Sequence, residues 1–195
     1  MKVLFILLTL LYPVGVFYGL AAFSVKEVSL VLLVFFLLRL IVTQLNTKRS
    51  QANENNSDGK STFPHLAIAI PVISILLFSY IFDNDIGVLF YPVIVNASLA
   101  TLFLNSLFSP PPIIEKIARL TTPDLPDKAV KYTRKVTKVW LVFFIINALV
   151  AAYTALFADI KTWTLYNGFI AYLFMGMLFS VEFLIRLRVQ KSDEN

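Results

Sequence analysis

The chain has 195 residues, 58% of them hydrophobic and only 15% charged, with a formal net charge of +5 and no cysteine. Soluble domains run nearer half apolar and a quarter charged, so a water-soluble globule is a poor fit. The missing cysteines exclude disulfides, thiolate metal sites, a cysteine nucleophile and a lipidated cysteine.

A helix crossing a hydrocarbon core of about 30 Å needs roughly 20 mainly apolar residues. Six stretches meet that need: 3–23, 28–45, 66–82, 87–108, 139–158 and 165–187, the third only marginally. The first carries Lys2, an apolar run and small residues at Gly19, Ala21 and Ala22, which is also the outline of a secretory leader. Its length and its central Pro13 and Gly15 favour a retained span. The fold expected over 1–195 is a single all-α integral membrane domain: a polytopic protein with six transmembrane helices and a short interfacial helix in the second cytoplasmic loop.

Orientation follows from Lys and Arg, which cytoplasmic loops retain and translocated loops lack. With both termini inside, the inner side holds Lys2, Lys48, Arg49, Lys60, the bases from Lys116 to Lys138, and Arg186, Arg188 and Lys191. Only Lys26 and Lys161 fall outside, beside Asp83, Asp85 and Asp159. These inner bases account for the net charge, so nucleic acid is not an expected partner. Anionic lipid is, since each juxtamembrane base contributes about 1 kcal/mol of attraction near the surface.

The first inner loop, 46–64, is rich in Asn, Ser, Asp and Gly and reads as a flexible linker. The second, 109–138, has structure written into it. Ser109 before Pro110, Pro111 and Pro112 can cap a short helix, with Ile113, Ile114, Ile117 and Leu120 on one side and Glu115, Lys116 and Arg119 on another. That describes a helix lying in the membrane interface. Pro123 and Pro126 flank Asp124, which reads as the N-cap of the next helix. That helix carries Lys128, Lys131, Tyr132, Arg134, Lys135 and Lys138 and should run unbroken into the fifth span. Asp124, Lys128, Lys131, Tyr132, Arg134 and Lys135 are the candidates for contact with an acidic partner, the plainer reading being an ordinary positive-inside flank.

Inside the spans, ionisable residues are costly and invite a functional hypothesis. Arg39 in the second and Glu182 in the sixth lie at similar depth and could pair; Glu182 could instead bond Arg186 one turn on, while Arg39 could snorkel to the headgroups. Asn96, Asn105 and Asn147 can hydrogen-bond between helices. Trp163, Tyr166 and Asn167 read as anchors at the outer interface, where aromatics are enriched. Pro13, Pro71 and Pro92 should kink their spans and leave carbonyls that need another donor. Tyr12-Pro13-Val14 recurs as Tyr91-Pro92-Val93, a faint internal similarity of the kind seen in inverted repeats. Catalytic chemistry is hard to find: His65 is the only histidine, and no phosphate-cradling glycine loop or nucleophile elbow occurs. No cofactor or metal site is expected.

The run Ile114-Glu115-Lys116-Ile117-Ala118-Arg119-Leu120, then Pro123-Asp124-Leu125-Pro126, Tyr132-Thr133-Arg134-Lys135-Val136-Thr137, Trp140, Asn147, Trp163-Thr164-Leu165-Tyr166-Asn167-Gly168, and Glu182 with Arg186 resembles a family of uncharacterised bacterial inner-membrane proteins. Members are encoded among the acyl carrier proteins, ketosynthases and transferases of aryl-polyene-like pigment and lipid pathways. The order of spans is more distantly similar to the intracellular septation protein A family. The resemblance implies a Gram-negative inner membrane and an accessory or scaffold for acyl-carrier-linked synthesis, with acyl carrier protein or synthase enzymes as partners. A small transporter or flippase for a lipid-like product, and a membrane-embedded transferase, are the alternatives.

Overall fold

The computed structural model describes residues 12–53, 63–120 and 122–191, and every regular element among them is helical. In chain order these are α1 (Tyr12–Ala22), α2 (Val25–Asn53), α3 (Phe63–Phe82), α4 (Ile86–Leu89), α5 (Tyr91–Phe108), α6 (Ile113–Arg119), α7 (Asp127–Phe157), α8 (Ile160–Leu165), one π-helical turn (Tyr166–Ile170) and α9 (Ala171–Lys191). Four stretches are long and apolar enough to cross a membrane: Val25–Leu45, Tyr91–Phe108, Asp127–Phe157 and Ile160–Phe183. Tyr12–Ala22 and Ala69–Phe82 are shorter apolar helices; the first part of the expected 3–23 span lies outside the described residues.

The linker expected at 46–64 begins as helix, because α2 continues to Asn53. Its Asn and Ser residues lower helix propensity only modestly, and no Gly or Pro interrupts the chain there. Residues 54–62 lie outside the described part.

Two apolar clusters hold the bundle. Tyr12, Val16, Leu33, Phe36, Leu76 and Trp163 belong to one; Phe103, Leu107, Val136, Trp140, Leu141 and Phe144 belong to the other. The most extensive helix pairing is α5 on α7, followed by α2 on α3. Ala151 of α7 is fully enclosed within the chain. The opposite side of α7 leaves Val142, Ile146, Leu149 and Phe157 exposed. Such an apolar outer stripe suits hydrocarbon as the solvent.

The turns at one end are capped by their own side chains. Ser24 and Glu27 form a reciprocal capping box at the start of α2, with Ser24 N–H donating to Glu27 Oε2 at 2.9 Å and Glu27 N–H to Ser24 Oγ at 3.3 Å. Asp83 adopts φ 51 after α3, and the Asn84 amide reaches back to the Ser79 carbonyl at 3.3 Å, the six-to-one bond of a Schellman ending. Lys26 Nζ lies 3.7 Å from Asp83 Oδ2, linking this turn to α2. Asp159 caps α8 by accepting the Thr162 amide at 2.8 Å. Gly87 lets α4 lie against α3: a Cβ there would fall 2.5 Å from the Ile75 carbonyl oxygen.

Candidate functional site, a bonded kink and a basic end

Pro92 sits at the second position of α5 and has no N–H to offer the Val88 carbonyl four residues back. Tyr12 supplies the missing donor, its hydroxyl reaching Val88 O at 2.8 Å in a buried site. The neighbouring Leu89 carbonyl accepts Trp163 Nε1–H at 3.1 Å. The expected kink thus appears as the break between α4 and α5, and its carbonyls are satisfied from the first and last parts of the described chain. Tyr12 and Tyr91, the repeated Tyr-Pro pair, stack with ring centroids 4.0 Å apart.

A chain of neutral polar groups continues from the kink. Asn96 Nδ2 donates to the Pro92 carbonyl at 2.8 Å, Asn147 Nδ2 to Asn96 Oδ1 at 3.1 Å, and the Tyr166 hydroxyl to Asn147 Oδ1 at 2.7 Å. Asn167 Nδ2 bonds both Thr154 Oγ1 at 3.2 Å and the Trp163 carbonyl at 2.9 Å. The π-helical turn carries Tyr166 and Asn167 toward α7. Amides and phenols of this kind satisfy one another and hold α5, α7 and α8 in register. Asn105 stands apart, exposed on α5.

Trp163, Tyr166 and Asn167, expected as outer-interface anchors, turn their polar atoms into the chain. Trp163 is fully buried, Asn167 is 5% exposed, and Tyr166 is half-buried. Their polar atoms serve the kink and the network. Arg39 is half-buried on α2. Glu182 is half-buried on α9, where its backbone carbonyl accepts the Tyr132 hydroxyl at 3.2 Å. The side chain of Arg186 lies outside the described part.

At the opposite end from the capped turns, α6 packs against the first turns of α7. Its faces differ from the sequence expectation. Ile113 and Ile114 do pack into the second apolar cluster, but Ile117 and Leu120 point outward and Glu115 is buried. The reason is Arg119 one turn later: its Nε and Nη2 lie 2.9 Å and 2.8 Å from Glu115 Oε1, so the carboxylate enters the packing as half of an ion pair. Arg119 Nη1 also donates to the Pro123 carbonyl at 2.8 Å.

The capping roles also move. Pro112, not Ser109, precedes α6; the Ile113 amide donates to Ser106 Oγ at 3.2 Å, from inside α5. Asp124 is exposed and lies ahead of α7, which begins at Asp127 after Pro126. Proline fits that place because its fixed φ suits a helix entry and the first amides of a helix have no internal partner. Beyond it α7 runs as one helix of 31 residues, as its sequence leads one to expect. Lys128, Lys131, Arg134, Lys135 and Lys138 are all exposed along its first turns.

Sequence reasoning missed Glu115, Ser106, Thr154 and Tyr12 as structural polar groups. The spacing of Glu115 and Arg119 was a usable signal; the Tyr12 partner, 76 positions from Val88, left none. Among the described residues no group of His, Asp and Glu is placed to hold a metal ion. No protein-family model, curated protein or solved structure gives a significant match to this chain.

Proposed function

We propose that this chain is an accessory protein of a bacterial inner membrane, built of six spans with both termini in the cytoplasm, that presents a basic docking face to an acidic soluble partner. The observation that carries the reading is the stripe of Lys128, Lys131, Lys135 and Lys138, all exposed on one rigid helix. At helical spacing these four fall within one face. The charge asymmetry of the loops supports putting that face inside.

The resemblance of residues 109–188 to proteins encoded beside acyl carrier proteins makes an acyl carrier protein, or a synthase enzyme that uses one, the partner to test first. Replacing Lys128, Lys131 and Lys135 with Gln should abolish its recovery with the tagged protein while membrane insertion stays intact. Unchanged recovery would remove the docking role.

A further inference from the structure

A pocket of about 460 Å³ opens between α6 and the start of α7, lined by Pro110, Pro111, Pro112, Glu115, Arg119, Val130 and Arg134. Two arginines line it, and each guanidinium is tied to the fold by at least one hydrogen bond. Glu115, 5% exposed, takes two contacts from Arg119, and the Pro123 carbonyl takes a third. Arg134 Nη2 donates to the Leu107 carbonyl at 3.3 Å. A guanidinium has five N–H groups, so both arginines keep hydrogens beyond these contacts. The only carboxylate in the lining is already engaged by Arg119, which leaves the pocket positive.

Two guanidiniums with spare donors facing one pocket suit an anion with more than two acceptor oxygens, which favours phosphate over a carboxylate. We infer that this pocket binds a phosphate group, carried on a lipid headgroup or free in solution. The inference stands whether or not the lysine stripe docks a protein, because it uses Arg119 and Arg134 rather than Lys128, Lys131 and Lys135.

The test is native mass spectrometry of the full chain in mild detergent, titrated with phosphatidic acid, with diacylglycerol as the phosphate-free comparison. Phosphatidic acid should bind and diacylglycerol should not. Arg134→Gln, and separately Arg119→Lys, which keeps a charge beside Glu115 but loses the fork, should each weaken retention by about tenfold. Lys128→Gln/Lys131→Gln/Lys135→Gln together should weaken it less than either arginine variant does alone. Inorganic phosphate serves as the competitor: failure to displace the lipid supports a headgroup as ligand, and displacement moves the assignment to free phosphate at the same arginines. Equal losses in the arginine and lysine variants would mean diffuse attraction to a basic surface and would overturn the pocket. Unchanged retention in both arginine variants, with their Trp fluorescence like the parent's, would overturn it too.

Discussion

Tyr12→Phe isolates one hydrogen bond, since the ring that stacks on Tyr91 is kept and only the donor to Val88 O is removed. The carbonyl it leaves has lost its helical donor to Pro92 and keeps only a contact with the Phe90 N–H two residues on, so the change should cost about 1–2 kcal/mol on mutational scales. The sharper expectation concerns the pair. Pro92→Ala returns an N–H four residues after Val88, so in that background the Val88 carbonyl has an alternative donor and Tyr12→Phe should cost much less. A double-mutant cycle should therefore give a coupling of about 1 kcal/mol. Reversible unfolding in mixed micelles, followed by the fluorescence of the two tryptophans, Trp140 and Trp163, measures each corner. If Tyr12→Phe costs the same within about 0.3 kcal/mol in both backgrounds, the hydroxyl is not replacing the proline's missing donor.

Gly87→Ala should destabilise by about 1–3 kcal/mol, because its Cβ would meet the Ile75 carbonyl oxygen at 2.5 Å and Ser79 Cβ at 2.8 Å; Gly15→Ala, with nothing within 4 Å, should be tolerated in the same unfolding assay, and equal losses would refute the close approach of α4 to α3. Asp159 is held below the ordinary aspartate range, chiefly by the Thr162 backbone N–H. The stability it contributes is therefore complete above the unfolded value of about 3.9 and is lost as pH falls through the lowered folded value. A pH series of melting temperatures should show an acid-side loss that Asp159→Asn reduces; an identical acid limb in that variant would exclude the cap as its source.

The sequence displays some of this architecture openly. No Gly or Pro interrupts 127–157, so the continuity of α7 could be read directly, and Pro92 announced a break with carbonyls to fill. What filled them could not be read, because Tyr12 and Trp163 lie 76 and 74 positions away from their acceptors. Trp163 illustrates a real ambiguity. A tryptophan near a span end carries the same compositional signal whether it faces headgroups or donates its N–H to a carbonyl within the fold. Glu115 was misplaced because a carboxylate on a short amphipathic helix ordinarily faces water, and only its pairing with Arg119 makes burial tolerable. Asp124 looked like a cap by residue type, but the helix started at the later proline boundary.

The length of α7 has a mechanical meaning. Its 31 residues span about 46 Å at 1.5 Å each, against a hydrocarbon core of about 30 Å. The excess matches the basic turns that precede Val139, so one uninterrupted rod carries both the lysine stripe and Asn147. A rod has no hinge in which to absorb a load. Force applied at Lys131 would therefore travel as a tilt of the whole helix, levering the amide pair that fastens it to α5.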